Sequence, residues 1–165
     1  MILVSCDPGL TGAFCLYDTK RGSMDIRPMP TFTKKVGSNK SRTVLDEQGI
    51  CDLIIGFQLF GATHFVIEEV GGLPRQSAPA AFNFGMGYGC CVATARALGF
   101  QLERVRPQVW KTKLRVPADK KAARARASEM LPYKKHLWTK ATQDGLAEAA
   151  MIAVWAQQHF EGKRR

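Results

Sequence analysis

The sequence predicts a single α/β domain, and three observations predict it. Short β-branched or apolar runs alternate with longer stretches of helical period, and each run closes on a turn former. The 165 residues fall in the size range of one domain, and a 45% share of hydrophobic residues is enough to fill a core. Neither an internal repeat nor a linker-like composition divides residues 1–165.

Each element has a local reason. Residues 2–6 read as a buried strand stopped by Asp7-Pro8-Gly9, where proline and glycine force a turn. Residues 12–17 return antiparallel beside it, and residues 23–27 make a weaker third strand. Residues 28–41 are basic, rich in turn formers and expected to be mobile. A helix follows over 44–60, where Leu45, Ile50, Leu53, Ile54 and Phe57 recur at helical spacing. Residues 64–68 are β-branched and apolar, an interior strand, and 71–77 are loop. A helix over 80–98 contains Gly85, Gly87 and Gly89, with Gly85 and Gly89 expected to permit close helix packing and Gly99 to end it. The Gly85-x-Gly87-x-Gly89 spacing is not a dinucleotide-binding fingerprint, because no strand leads directly into it. Residues 101–106 form a fifth strand closed by Pro107. Asp119 is a good N-cap for a basic helix over 120–131, ended by Pro132. The last helix spans 141–159 and leaves 161–165 as a loose basic tail.

Charge narrows the partner. Lys and Arg number 24 against 14 Asp and Glu, a formal +10, which favours a polyanion. The distribution says more. Twelve cations lie between Arg104 and Lys140 against only Asp119 and Glu129, and seven lie between Thr19 and Arg42 against Asp25 alone. Nucleic acid fits this clustering better than an anionic membrane, although a solvated basic surface would look similar. No apolar run approaches the roughly 18 residues of a membrane span. The chain reaches Asp7 without a basic leader, so a cytoplasmic location is expected. Five cysteines without a Cys-x-x-Cys pair read as free thiols in a reducing compartment rather than as a zinc site.

Four acids sit where acids should not be. Asp7 ends an apolar strand, and Glu68 ends another on the same side as Val66. Asp144 and Glu148 are four residues apart on one helix face, together with Met151 and Trp155. A carboxylate among apolar side chains must neutralise, pair or bind a cation. Two hard divalent cations roughly 3.5–4 Å apart could share these oxygens, activate a water and stabilise the leaving oxygen of a phosphodiester. Each acid also has a plainer explanation. Asp7 could cap the Pro8-Gly9 turn, Glu69 competes with Glu68, Asp144 suits a helix first turn, and Glu148 could pair with Lys140. A shared metal role requires that the four meet in space, and it fails if each has its own arginine or lysine.

Several segments resemble the RuvC-type Holliday-junction resolvases of the ribonuclease H-like superfamily, particularly phage and prophage members. Cys6-Asp7-Pro8-Gly9-Leu10-Thr11-Gly12 is similar to their opening strand and turn, and Val66-Ile67-Glu68-Glu69-Val70 to their second acidic motif. Phe82-Asn83-Phe84-Gly85, with Gly89 after it, resembles their central helix. Pro107-Gln108-Val109-Trp110-Lys111 and Asp119-Lys120-Lys121 resemble the stretch that supplies active-site lysines, and Asp144-Gly145-Leu146-Ala147-Glu148-Ala149 the closing helix.

The resemblance implies a ribonuclease H-like five-stranded mixed sheet, three antiparallel strands plus two parallel, flanked by helices. It further implies a homodimer that makes paired nicks in four-way DNA junctions with two Mg²⁺ per active site, Mn²⁺ substituting. Asp7, Glu68, Asp144 and Glu148 would be the metal ligands, and Lys111 and Lys120 would lie near the cut phosphate. Lys113, Lys121, Arg124 and Arg126 are candidates to follow flanking phosphates, or simply a solvated helix surface. The family often spaces its last two acids by three residues, whereas Asp144 and Glu148 are four apart. The segment 71–80 is short of aromatics, which suits cleavage of branched DNA in general over a strict cutting sequence. Trp110 reads as core or as a base-stacking ring, and His136 and His159 have no ligand spacing. Alternatives are cleavage of RNA–DNA hybrids, binding of branched DNA without catalysis, and ATP hydrolysis. The last follows from the likeness of Asp7 to Gly12 to the phosphate loop of actin-like folds, which normally need two such domains.

Overall fold

Strand β1 (Ile2–Asp7) lies at the centre of the sheet, as its apolar run requires, in a computed structural model that describes residues 1–38, 40–69, 71 and 77–163. β2 (Ala13–Asp18) pairs antiparallel with β1, and β3 (Ser23–Pro28) antiparallel with β2. On the other side, β6 (His64–Glu68) is parallel to β1 and β7 (Gln101–Val105) parallel to β6, which gives the order β3-β2-β1-β6-β7. The five-stranded mixed sheet is therefore as expected.

Residues 28–41 depart from the expected mobile segment. β4 (Thr31–Lys35) and β5 (Ser41–Leu45) form a separate antiparallel ribbon, with Phe32 opposite Val44 and Lys34 opposite Arg42. Alternating Thr, Phe and Val suit strand more than coil, a signal that the neighbouring glycine, prolines and lysines mask. The helix expected from residue 44 consequently starts later. α1 (Glu47–Leu59) begins behind Asp46, whose side chain accepts from the Gly49 N–H at 3.0 Å, and Val44 and Leu45 belong to the ribbon.

α2 (Ala78–Ala97) is the glycine-bearing helix, and Gly99 sits beyond its end at φ +77°. The close approach is at Gly87, not at Gly85 or Gly89. A Cβ on Gly87 would lie 2.4 Å from Leu45 Cδ1, whereas Gly85 and Gly89 face open space. Pro107 closes β7 but also opens an unforeseen helix, α3 (Pro107–Leu114), because proline is well placed in a first helical turn. α4 (Lys120–Met130) starts at Asp119, which accepts from the Ala122 N–H at 2.8 Å. α5 (Asp144–Gly162) follows a short 3-10 turn, Ala141–Gln143. Glu161 and Gly162 thus belong to the helix and not to a loose tail, and Lys163 pairs with Glu103 at 3.3 Å. Residues 72–76 of the expected loop and the last two residues of the tail lie outside the described residues.

Two cores sandwich the sheet. Val4, Cys6, Phe14, Phe65 and Ile67 pack with Ile50, Ile54 and Phe57 of α1 and Cys91 and Ala95 of α2. Leu3, Cys15, Val66 and Val105 pack with Trp110, Ala127 and the Ala149–Ala156 stretch of α5. The five cysteines are free thiols. Among the described residues, no helix is long and apolar enough to cross a membrane.

Candidate active site

Strand alternation decides which way the first two acids face. Leu3, Ser5 and Asp7 share one side of β1, and Val66 and Glu68 share the same side of β6, where α5 packs. The parallel register Cys6↔Ile67 makes Asp7 and Glu68 next in line on adjacent strands.

α5 adds the third acid because it can come unusually close. A Cβ on Gly145 would meet the Thr11 carbonyl oxygen at 2.1 Å, so only glycine lets this turn of helix rest on the β1–β2 connection. Gly12 is equally constrained, since a Cβ there would lie 2.1 Å from the Asp7 carbonyl oxygen. Ser5, fully buried, donates from Oγ to the Ala149 carbonyl at 2.6 Å and fixes the helix one residue beyond Glu148. The sequence reading missed Ser5 and Gly145. A serine inside an apolar strand and a glycine inside a helix were the available signals.

The three carboxyls act on one another. Burial, reinforced by the negative fields of Glu148 and Glu68, pushes Asp7 up to about 7, against which the Gly9 N–H (3.3 Å) and Lys111 work. Glu68, only 8% exposed, is also raised, by burial and then by Glu148, while the Trp110 Nε1–H donates to its Oε2 at 2.8 Å. Lys111 is the countercharge. Its Nζ lies 2.8 Å from Glu148 Oε1, and although burial works to lower its pKa, Glu148, Glu68 and Asp7 together hold it above the ordinary value. Asp144 stands apart in the first turn of α5, ion-paired with Arg124 and at 3.6 Å with Lys120.

No protein-family model matches the sequence, and no curated protein matches it. Solved structures do. Thermus thermophilus RuvC in complex with Holliday junction substrate aligns with 96% of this chain and 96% of its own, at a TM-score of 0.61 and 17% identity. A second Thermus thermophilus RuvC structure aligns with 96% of this chain and 97% of its own, at 0.58 and 18%. The fold is that of RuvC.

On this RuvC-like frame the remaining candidates divide. Trp110 is fully buried, so it is core and not a stacking platform. Lys111 lies among the acids, and exposed Lys120 stands at the start of α4, at the rim of a narrow cleft with Arg124, Asp144 and Glu148. Arg124 and Arg126 have partners within the chain. Arg124 holds Asp144, and Arg126 donates to the Leu114 carbonyl at 3.1 Å and to Glu129 at 3.0 Å. Lys121 is exposed, and Lys113 lines a separate groove with Trp155 and His159. His159 bonds Glu103 at 2.8 Å. Glu69, the competitor of Glu68, pairs with Arg106 at 3.3 Å.

Whether the acids fit a metal can be judged from their chemistry. Among the described residues, no three acidic, histidine or cysteine side chains converge tightly enough, as placed, to grip one ion. Two of the four acids have a basic partner, and among the described residues Asp7 and Glu68 have none within ion-pair distance. The donor set fits a hard cation: its donors are carboxylate oxygens, burial and then the charges of Glu148 and Glu68 raise Asp7 to about 7, and an ammonium already lies in its field.

Proposed function

We propose that the chain is a metal-dependent endonuclease that resolves four-way and other branched DNA by paired nicks, as a homodimer, with a phage or prophage-type resolvase as its nearest functional counterpart. The observation that carries this is the burial of Asp7 and Glu68 within the field of Glu148, relieved only in part by Lys111.

Asp7, Glu68 and Glu148 would hold Mg²⁺ or Mn²⁺, and Asp144 would join them on exchanging its ion pair with Arg124. Divalent ions in such a site supply Lewis-acid polarisation of the phosphate and a water of lowered pKa. The chain's own groups do the rest. Asp7 is fixed at the strand end, where the Gly9 N–H bonds its carboxylate and orients it. Trp110 holds Glu68 in one orientation. Lys111 and Lys120 supply positive charge where a phosphate gains negative charge. Lys113 and Lys121 continue the basic surface toward flanking phosphates, and Arg124 and Arg126 reach DNA only by leaving their present partners. A cytoplasmic location, in a bacterial cell or a phage-infected host, accompanies this function.

The test uses a synthetic four-way junction, a linear duplex and an RNA–DNA hybrid, each with Mg²⁺ and with chelator. Symmetric nicks confined to the junction and dependent on Mg²⁺ are expected. Asp7→Asn should abolish them and leave junction binding intact. Preferential cutting of the hybrid would replace a resolvase with a ribonuclease H-type enzyme, and binding without any cutting would leave a junction-binding protein.

A further inference from the structure

The β4–β5 ribbon carries four cations with no stated role in the acid site: Lys34, Lys35, Lys40 and Arg42, all exposed. Among the described residues none of them has a carboxylate partner, although Arg21, Arg27, Arg106, Lys111, Arg124 and Arg126 all do. Lys34 and Arg42 face each other directly across the ribbon. Like charges at opposed positions of an antiparallel pair repel, so the pairing costs stability unless an anion lies between or beside them.

Their side of the ribbon is not bare solvent. Lys34, Arg42 and Phe32 line a groove with Leu10, Asn83 and Met86, and Phe32 is 48% exposed. Leu10 is three residues beyond Asp7, and Gly9 at the same turn bonds the Asp7 carboxylate. The ribbon is rooted there. Met29 N–H bonds the Gly12 carbonyl at 2.9 Å, Asp46 N–H bonds the Pro30 carbonyl at 3.0 Å, and a Cβ on Gly87 would lie 2.4 Å from Leu45 and 3.6 Å from the Pro8 carbonyl oxygen. The groove therefore borders the β1–β2 turn that follows Asp7.

We infer that this ribbon is a second DNA contact, in which Lys34 and Arg42 grip consecutive phosphates of a strand leading from the acid site and Phe32 lies against its sugars or bases. The inference rests on the proposed action on branched DNA. A polyanionic strand is the occupant the charge selects, because it offers repeated phosphates to a pair of opposed cations with Phe32, Leu10 and Met86 beside them, although Glu47 also lines the groove.

The experiment measures junction binding of the full chain carrying Asp7→Asn, so that no cutting intervenes, over a series of salt concentrations. Lys34→Gln with Arg42→Gln is compared with Lys20→Gln and Arg21→Gln, which removes the same charge from the β2–β3 turn at the opposite end of the sheet. The ribbon pair should lower the slope of log affinity against log salt by about 2 and weaken binding roughly tenfold or more near 0.1 M salt, whereas the turn pair should leave the slope unchanged. Matching thermal melts establish that both variants fold. Equal slopes for ribbon and turn variants would overturn the inference. A change in oligomeric mass on removing the ribbon charges, without a change in slope, would overturn it in favour of a contact between copies. Failure of the unaltered ribbon to bind any junction would instead count against the proposed function itself.

Discussion

Asp7 is the carboxyl of the candidate site whose titration is displaced to about 7, and its effect on stability is a matter of sign. A carboxyl that titrates near 3.8 in an open chain and at about 7 in the fold binds a proton more tightly when folded. Its contribution to stability is therefore intact below about 4, declines as pH rises, and is lost above about 7. The loss is on the order of 4 kcal/mol. In the absence of divalent ions, Asp7→Asn should remove that decline and keep the Gly9 bond, so the variant should melt higher than the parent at pH 8 by roughly 8–16 °C and no higher at pH 4. Added Mg²⁺ should close the gap by stabilising the parent alone. A difference in melting temperature that does not vary with pH would show that Asp7 is not under electrostatic strain. That Asp7 and Glu68 are functional candidates was legible from their position at the ends of apolar strands. The two-sided fate of the other pair was not, because Lys111 and Arg124 are 37 and 20 residues from the acids they hold.

Elements meet here through a few small residues, and α5 is the sharpest case. Asp144 and Glu148 could be placed on one helix face from their spacing, but the distance of that face from Asp7 depends on Gly145 and Gly12. Adding a methyl group at Gly145 forces the helix off the Thr11 carbonyl, a backbone atom that cannot swing aside. Gly145→Ala should cost about 1–3 kcal/mol, lower the melting temperature by several degrees and reduce junction nicking at the same time. Gly56→Ala supplies the contrast. That glycine lies inside α1 with open space around it, so alanine should raise the melting temperature through helix propensity, by up to about 1 kcal/mol. If both changes were neutral, the close approach of α5 would not be holding the site together. The ribbon and α3 show the converse lesson at this scale. Their turn formers and prolines are prominent in the sequence and read as interruption, when they mark the edges of short elements that neighbours complete.

For the molecule as a whole, the unpartnered surface matters most. α2 turns Gly87, Cys91 and Ala95 inward and leaves Phe82 67% and Met86 41% exposed, so Phe82 is the apolar side chain at which the proposed dimer can be tested. Sedimentation of the proposed homodimer should give twice the 18.3 kDa mass of the chain, and Phe82→Glu should shift it to the monomer and abolish paired nicking. A wild-type monomer that still nicks both strands symmetrically would remove the dimer from the mechanism.

What the sequence settled by itself was everything carried by short-range pattern. Alternation and helical period determined the α/β class and the main strands and helices, and strand alternation put Glu68, not Glu69, on the side of Val66. The tertiary structure decided what depends on contact between distant segments: that Asp7, Glu68 and Glu148 share one field while Asp144 faces Arg124, that Gly87 and not its neighbours is the packing glycine, and that residues 31–35 and 41–45 pair as a ribbon. The division has a physical cause. Local pattern fixes the direction in which a side chain points, but Coulomb interaction and steric exclusion depend on distance, and distance is set only when the whole chain packs.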